Sequence, residues 1–396
     1  MFAYGLLSVV LALYLAAVGL SETQIGLLLT LTLLGDAAIS LWMTSHADRS
    51  GRRKTLLIGA ALMIFAGVVF ALTSNVMLLI AAAIIGVISP SGSEVGPFLS
   101  IEQASLTQLI PDEKRTQVFA WYNLVGAFAT AVGALVGGGL AQLLQRSGVP
   151  ALDSYRVLVI GYGVVGLALL VLFTRLSHTI EVAAEALPSG VKAPWLGLHQ
   201  SRNVVLRLSA LFAMDAFGGA FVLQSFVAYW FHVRYGVEPA LLGAIFFGAN
   251  ILAGISALSA AKIAARFGLI NTMVFTHIPS NMLLILVPLM PTLPLAIVVL
   301  LARFSISQMD VPTRQSYTVA VVHPSERSAA AGVTGIARSI GASVSPLLAG
   351  LMLRAAGPWL SAPFFVAGGV KILYDLALYR SFNSIKPPEE SAKSPA

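Results

Sequence analysis

Residues 45–54 read Ser45-His46-Ala47-Asp48-Arg49-Ser50-Gly51-Arg52-Arg53-Lys54, and this stretch decides the fold. It places four cations, one anion and a glycine between two long apolar runs. Charges at this density are costly in hydrocarbon, so the stretch predicts a tight aqueous turn between two membrane helices. Short loops rich in Arg and Lys stay on the cytoplasmic side. Placing this loop inside sets the direction of every other span.

The composition is that of a membrane protein. The chain has 396 residues, of which 57% are hydrophobic and 10% charged, and its mean hydropathy is +0.86. A soluble domain of this size has too little interior for so much apolar sequence. The net charge of +7 lies in short loops, which indicates orientation in a bilayer rather than nucleic-acid binding. The absence of cysteine excludes disulfides and thiolate metal sites.

Apolar runs of membrane-spanning length occur twelve times, in two sets of six. We predict an N-terminal bundle over 1–176, a polar cytoplasmic linker over 177–203, a C-terminal bundle over 204–382 and a disordered cytoplasmic tail over 383–396. The predicted spans are 2–20, 24–44, 55–73, 76–106, 117–145, 155–175, 204–231, 239–261, 269–290, 294–320, 327–353 and 358–380.

The distribution of cations supports the orientation. With residues 45–54 inside, sixteen Arg and Lys residues fall in inner loops and tails and four in outer loops. Both termini are then cytoplasmic. The first span opens at Met1 without the cationic segment of a signal peptide, so we expect it to stay as an anchor.

The two sets of spans look like repeats. Pro111–Arg115 joins helices 4 and 5, and Pro324–Arg327 joins helices 10 and 11. Residues 262–268 are a weaker copy of residues 45–54 at the corresponding place. Two similar halves that both begin inside predict parallel repeats with a site at their interface.

The charged part of the opening stretch, Asp48 to Lys54, resembles the loop signature of the major facilitator superfamily. The twelve spans, the linker and the repeated loop extend the resemblance over the whole chain. It implies an all-α integral membrane protein with twelve transmembrane helices in two pseudo-symmetric six-helix bundles. One departure is Thr44, where the family usually has glycine.

By this resemblance the loop locks the two halves together when the site faces outward, and an acid on helix 4 completes a charge relay. Physically, the aspartate can cap a helix and an arginine can pair with an acid on a neighbouring helix. The alternative is that the cations only anchor topology. The gating residues that the resemblance implies are Asp48, Arg49, Gly51, Arg52, Arg53 and Glu102.

Charges inside spans are costly and usually face a cavity or a partner. Asp36 lies about 18 Å before Asp48 along its helix, and Asp215 and Arg338 lie at similar depths. Arg338 can pair with Asp36 across the halves or with Asp215 within the second half. For either pair there are two interpretations: the pair only stabilises the packed helices, or it takes part in transport. In the functional interpretation, Asp36 or Asp215 carries a proton, because apolar surroundings and a nearby arginine act oppositely on a carboxyl group.

Helix 4 contains Ser89–Pro97, an unusual density of helix breakers. Broken backbone at membrane depth must line protein or water. Glu94 in this stretch is therefore another proton-coupling candidate, with a simple kink and a snorkelling acid as the alternative. On helix 10, Asp310 and Arg314 have i,i+4 spacing and can neutralise one another. We favour a structural or gating role for that pair over substrate contact.

Helix 11 carries Gly341 and Pro346 in a small-residue pattern similar to one that family antiporters have on helix 5. Ordinary close packing of small residues explains it equally well. The candidate substrate-cavity residues are Asn123, Phe217, Phe221, Asn250 and Arg338. We place both phenylalanines on the same face of helix 7 as the surroundings of Asp215.

No metalloprotease HExxH motif and no Walker loop is present, so the sequence predicts neither an enzyme nor an ATP-driven pump. It predicts alternating access with proton-coupled efflux of small lipophilic compounds. The alternative is proton-linked uptake of a polar metabolite such as a sugar or organic acid; a non-transporting receptor or scramblase is more distant. We expect a monomer in a bacterial inner membrane whose partners are substrate, protons and lipid, with no cofactor, metal or nucleic acid.

Overall fold

The protein is helical in every regular element that the structure shows. The structure is a computed structural model that describes residues 1–92, 98–109, 112–177, 180–181, 200–323, 326–355 and 357–385. Within these ranges the side chains of 44–46, 48–50, 100, 104, 107–109, 112–117, 119–120, 328 and 358 are not described. Glu94, most of the predicted linker and most of the predicted tail therefore lie outside the described residues, as do the side chains of Asp48 and Arg49.

Sixteen α-helices form the described part of the chain. They are α1 Phe2–Ser8, α2 Leu11–Val18, α3 Glu22–Ser50, α4 Arg52–Leu72, α5 Val76–Ile85, α6 Phe98–Leu109, α7 Asp112–Arg146, α8 Ala151–Thr174, α9 Arg202–Ala220, α10 Gln224–Tyr235, α11 Pro239–Phe267, α12 Leu269–Leu286, α13 Leu293–Phe304, α14 Asp310–Ala320, α15 Arg327–Arg354 and α16 Ala362–Phe382.

These helices make twelve membrane spans, because four of the spans are each built from two helices. The divided spans are α1–α2, α5–α6, α9–α10 and α13–α14, which are spans 1, 4, 7 and 10. The break therefore recurs at the first span of every group of three. The sequence predicted the break in span 4 from its prolines and glycines but missed the other three.

The breaks are buried in protein. Val9 and Val10 in span 1, Ser89 in span 4, Phe221 in span 7 and Ser307 in span 10 all have at most 5% of their surface exposed. Backbone that leaves a helix within the bilayer must find hydrogen-bond partners in protein or in a water-filled cavity. The burial meets that requirement and points to these positions as places where polar groups can gather.

Nine described segments are long and apolar enough to cross a membrane, and α5 and α13 are shorter apolar helices. Exposed apolar side chains on these helices also indicate contact with a membrane. On α8, five apolar side chains at spacings of three and four residues are each more than two-fifths exposed: Val157, Ile160, Val164, Leu167 and Val171. A stripe of this kind on one helical face suits contact with lipid.

The tight turn that the sequence predicted within residues 45–54 is confined to Gly51, and the stretch on either side of it is helical. α3 continues to Ser50 and α4 begins at Arg52, so Gly51 alone turns the chain, with φ at +97°. Gly268 does the same between α11 and α12, with φ at +87°. Glycine adopts this left-handed region without the steric cost of a Cβ atom. The repeat seen in the sequence is thus also a repeat in backbone geometry.

The contacts divide the chain into two compact units. Unit 1 comprises residues 1–187, 223–250 and 346–360, and unit 2 comprises 188–222, 251–345 and 361–396. The domain boundaries predicted from the sequence remain a prediction.

Glycines allow close helix packing within each unit. In unit 1 a Cβ atom on Gly5 of α1 would lie 2.1 Å from the Thr130 carbonyl oxygen of α7. In unit 2 a Cβ atom on Gly341 of α15 would lie 2.2 Å from the Ala213 carbonyl oxygen of α9. Small residues that bring helix backbones together are the usual means of packing where no water drives association.

Candidate functional site

Five helices of unit 2 bring a group of charged and polar side chains together around Asp215. We call this group the Asp215 cluster. Its members are Asp215 on α9, His277 and Asn281 on α12, Asp310 and Arg314 on α14, Arg338 on α15, and Lys371 and Asp375 on α16.

Three cations contact the single carboxylate of Asp215. One oxygen accepts hydrogen bonds from Arg314 Nη1 at 3.2 Å and from Arg338 Nη1 at 3.0 Å. The other oxygen accepts a hydrogen bond from Lys371 Nζ. His277 Nε2 lies 3.9 Å from that second oxygen. Asp215 is therefore the centre through which cations on three other helices are joined.

Helical spacing explains how α12, α14 and α16 each supply two members. Residues four apart lie on the same face of a helix, so His277 and Asn281, Asp310 and Arg314, and Lys371 and Asp375 each point together. Arg314 Nη1 donates to Asp310 at 2.8 Å, which is the i,i+4 pair predicted from the sequence. The sequence left two partners open for Arg338, Asp36 or Asp215, and in the structure Arg338 contacts Asp215.

His277 connects two of the acids. Its Nδ1 lies 2.8 Å from Asp375 Oδ1, and Asn281 Nδ2 donates to the other oxygen of Asp375 at 3.2 Å. Its Nε2 lies 3.4 Å from Lys371 Nζ. With Nδ1 protonated toward Asp375, Nε2 can accept a hydrogen bond from Lys371.

The cluster is buried well inside the membrane-spanning part of its helices. Asp215 lies about 20 Å along α9 from Arg202 at 1.5 Å per residue, in a hydrocarbon layer about 30 Å thick. The side chains of Asp215, His277, Arg314 and Lys371 are at most 10% exposed, whereas Arg338 is 33% exposed. A ligand that approaches the cluster therefore meets the Arg338 side chain first.

An apolar layer closes one side of the cluster. It lies toward the start of α9 and the end of α16 and contains Leu208, Phe212, Met273, Tyr317 and Leu378. The guanidinium carbon of Arg314 sits 5.6 Å from the centre of the Phe212 ring, so this layer also holds a cation in place. In the predicted orientation this is the cytoplasmic side.

The cluster is balanced in charge, with three acids, three permanent cations and one histidine. Buried ions are tolerated when each is paired and hydrogen-bonded, and removal of one partner is strongly destabilising. A single proton or a single small anion therefore changes the electrostatics of the whole group. That sensitivity is the chemical property that a coupling site needs.

The close contact at Gly341 positions Arg338. Gly341 is one turn beyond Arg338 on α15 and lies directly against the backbone of α9. Ser345 Oγ, another turn on, donates to the Phe217 carbonyl oxygen of α9. These contacts hold α15 against the helix that carries Asp215. Pro346 lies inside α15 and belongs to unit 1.

A second polar group lies in unit 1, where spans 1, 4 and 7 are broken. Gln224 Nε2 donates to Ser8 Oγ at 2.9 Å, and Asn250 Nδ2 donates to Gln224 Oε1 at 3.3 Å. The backbone N–H of Ser225 donates to the Pro90 carbonyl oxygen at 3.1 Å. Asn250, a predicted cavity residue, is thus joined through Gln224 to the Ser8 side chain at the end of α1.

In the predicted gating loop, Glu181 contacts the backbone at the start of α4. Glu181 accepts hydrogen bonds from the backbone N–H groups of Arg52 at 2.7 Å and Arg53 at 3.1 Å, and so caps α4. Glu102 accepts a hydrogen bond from the Tyr122 hydroxyl at 2.7 Å. The charge relay through Glu102 remains a prediction.

The remaining predicted residues are Asp36 and Asn123, which belong to unit 1, and Phe217 and Phe221, which belong to unit 2. Asp36 is half-buried on α3 in unit 1 and accepts a hydrogen bond from Ser40 at 3.4 Å. Asn123 is exposed on α7. Phe217 and Phe221 pack against each other with ring centres 5.2 Å apart. Phe217 follows Asp215 by two residues, about 200° around the helix, so its side chain leaves α9 on a different face from the carboxylate.

Sequence reasoning missed His277, Asn281, Lys371 and Asp375. A signal was present, because Lys371 and Asp375 are charges inside an apolar run, and such charges are rare unless partnered. Their i,i+4 spacing indicated one inward face. Nothing in the sequence indicated that α12 and α16 would meet at Asp215.

Twelve spans with a three-span repeat of broken helices, and a charged cluster buried within these spans, define the class as a polytopic membrane protein with ionisable groups in its interior. The sequence model of the Major Facilitator Superfamily matches residues 1–346. The chain belongs to that superfamily and is a secondary transporter rather than an enzyme.

Two relatives are similar in sequence. An uncharacterised membrane protein of Saccharomyces cerevisiae, YJR124C, is 32% identical over 95% of this chain and 90% of its own length. The uncharacterised MFS-type transporter YdgK of Bacillus subtilis is 26% identical over 63% of this chain and 58% of its own length.

Solved structures share the fold at low identity. A D-xylose–proton symporter matches with a TM-score of 0.73 and 16% identity, over all of this chain and 96% of its own. The nucleoside transporter NupG matches with a TM-score of 0.72 and 13% identity, over 96% of each chain. A bacterial homologue of the human lysosomal transporter Spinster matches with a TM-score of 0.68 and 16% identity, over 96% of this chain and 92% of its own.

Proposed function

We propose that the protein moves a small organic substrate by alternating access in exchange for, or together with, protons, and that the Asp215 cluster couples the two movements. The observation that carries this proposal is the buried Asp215 carboxylate with three cations on it and His277 beside it. Among the fold relatives, one is described as a proton symporter, so the fold accommodates such coupling.

The coupling works through the balance of charge. When Arg338 moves away from Asp215, the carboxylate loses one counter-charge, and a proton taken up by Asp215 restores the balance. When Arg338 returns, the proton leaves. Arg338 is one-third exposed, so its long side chain can leave Asp215 while the backbones of α15 and α9 stay in contact. This side-chain movement connects the transport cycle to proton binding.

For direction and substrate, the sequence supports efflux of small lipophilic compounds by proton antiport. The support for this is the similarity of the small-residue pattern on α15, with Gly341 and Pro346, to the pattern of family antiporters. Proton-linked uptake of an organic acid is the second candidate, and the cations around Asp215 favour it. Asp36 and Glu94 remain further proton-coupling candidates.

The proposal also covers the gate, the oligomeric state, the membrane and the parts that move. The loop at Gly51, Arg52 and Arg53 gates one side of the molecule, with Asp310 and Arg314 stabilising unit 2. The transporter is a monomer in a plasma membrane with both termini cytoplasmic. The parallel six-helix halves of the sequence are the parts that move.

Reconstituted vesicles test the proposal. The wild-type protein, in liposomes with an acidic interior and an internal pH dye, is challenged with a panel of organic cations, neutral lipophiles and organic acids. At least one class is expected to alter the pH gradient, and empty liposomes provide the control for passive leakage. Substrate movement across the membrane with no proton movement for any compound class would contradict proton coupling.

A further inference from the structure

The cations of the Asp215 cluster form an arrangement that can hold a ligand as well as a proton. Asp215 has two oxygens, yet it receives hydrogen bonds from Arg314, Arg338 and Lys371. Arg314 also has Asp310 as a close partner, and Lys371 lies near His277. Arg338 is left with the fewest described partners of the three cations.

The guanidinium of Arg338 has donors to spare. An arginine carries five N–H groups in a planar fork. Among the described residues, Asp215 is the only hydrogen-bond partner found for Arg338. None of its nitrogens is among the buried side-chain atoms that lack a partner, and the side chain is 33% exposed. The remaining donors therefore reach accessible space.

We propose that Arg338 binds the anionic group of the substrate, and that the substrate is an organic anion held by a carboxylate or a chemically similar oxyanion. This inference rests on the proposed function, because it assigns a substrate class to the proposed coupling site. The planar fork fits a carboxylate through two parallel hydrogen bonds. Asp215 is then the internal competitor of the ligand, since both offer a carboxylate to the same guanidinium.

Competition gives the proposal a specific consequence. Replacing Asp215 by asparagine keeps the shape of the side chain but removes the competing charge and leaves the cluster with one surplus positive charge. Anion binding is then expected to become tighter, by roughly tenfold or more, while proton coupling is lost. If Arg338 binds the anion, the gain is lost in the double variant Asp215→Asn with Arg338→Gln. A gain that persists in the double variant comes from the other cations, Arg314 and Lys371, and overturns the proposal.

The test measures binding to the full-length purified protein in a neutral detergent, with no gradient present. Sodium benzoate is the probe, and benzamide is its neutral counterpart of nearly the same shape. Benzoate is expected to raise the thermal unfolding temperature in a concentration-dependent manner, and benzamide is not. Arg338→Gln should abolish the benzoate effect. Arg338→Lys, which retains the charge next to Asp215 but loses the fork, should fold normally and weaken benzoate binding roughly tenfold.

Two controls make the outcomes decisive. Arg354→Gln removes an exposed arginine at the end of the same helix and should leave the benzoate effect unchanged. An Arg338-dependent shift with phosphatidylglycerol but none with benzoate would indicate a lipid headgroup site and overturn the proposal. Equal shifts with benzoate and benzamide, or a full benzoate effect in Arg338→Lys, would also overturn it. Because binding is measured without a gradient, these outcomes are separate from a failure of proton coupling in vesicles.

Discussion

Asp215→Asn is expected to lower the free energy of unfolding by about 3–5 kcal/mol, the usual cost of removing one partner from a buried ion pair. The substitution is nearly isosteric, so it adds no steric strain. It leaves Arg314, Arg338 and Lys371 around an uncharged amide at a place where Asp215 is 3% exposed. The thermal unfolding temperature of the purified protein in detergent measures the effect.

Asp153→Asn is the matched control for that measurement. Asp153 on α8 pairs with Arg156 at 3.2 Å, but its side chain is 52% exposed. Exposed pairs contribute at most about 1 kcal/mol, so the control should change stability little. Equal losses in the two variants would show that the cluster is not an electrostatic unit.

A second substitution should rescue part of the loss. Lys371→Gln in the Asp215→Asn background removes one of the uncompensated cations, so the double variant is expected to be more stable than Asp215→Asn alone. Groups in one ion-pair network give non-additive effects of this kind in a double-mutant cycle. Additive losses would contradict direct coupling between the two side chains.

Gly138→Ala is expected to have the other large effect, because one methyl group has no room at this position. The added Cβ atom would lie 2.1 Å from the Pro239 carbonyl oxygen and 2.9 Å from the Gly243 Cα atom of α11. These are backbone atoms, so α7 and α11 must separate. Overpacking costs about 1–3 kcal/mol where side chains can adjust, and a backbone clash is expected to reach the upper part of that range.

The next residue provides the control. Gly139 has no heavy atom among the described residues within 4 Å of a Cβ atom built on it. Gly139→Ala should therefore be tolerated and can add up to about 1 kcal/mol through better helix propensity. Thermal unfolding of the two single-methyl variants compares the sites directly. Similar behaviour of the two would contradict the close approach of α7 and α11.

The sequence allowed prediction of the features that depend on local patterns. Apolar runs predicted the twelve spans, the stretch Ser89–Pro97 predicted the break in span 4, and i,i+4 spacing predicted the Asp310–Arg314 pair. The breaks in spans 1, 7 and 10 were missed because their residues, such as Val9 and Val10 in span 1, are not helix breakers. Tertiary contacts, which a local pattern does not contain, determine those breaks.

In the candidate site, too, local sequence patterns predicted some features, and others depend on tertiary contacts. Depth along a helix placed Asp215 and Arg338 at the same level and allowed their pairing to be considered. It could not decide between Asp36 and Asp215 as the partner, since that depends on which helices pack together. The Glu181 cap on α4 joins residues 128 and 129 positions apart, and no spacing rule predicts such a contact.

The central claim is that protons are coupled to transport at the Asp215 cluster. The most direct test uses the charge-balanced double variant, Asp215→Asn with Lys371→Gln, reconstituted in liposomes beside the wild type. Substrate exchange without a gradient and substrate-driven proton movement are both measured, with the compound that gives the largest proton signal in the wild type. We predict that exchange persists while proton movement is lost. Proton movement per substrate equal to that of the wild type would contradict the claim.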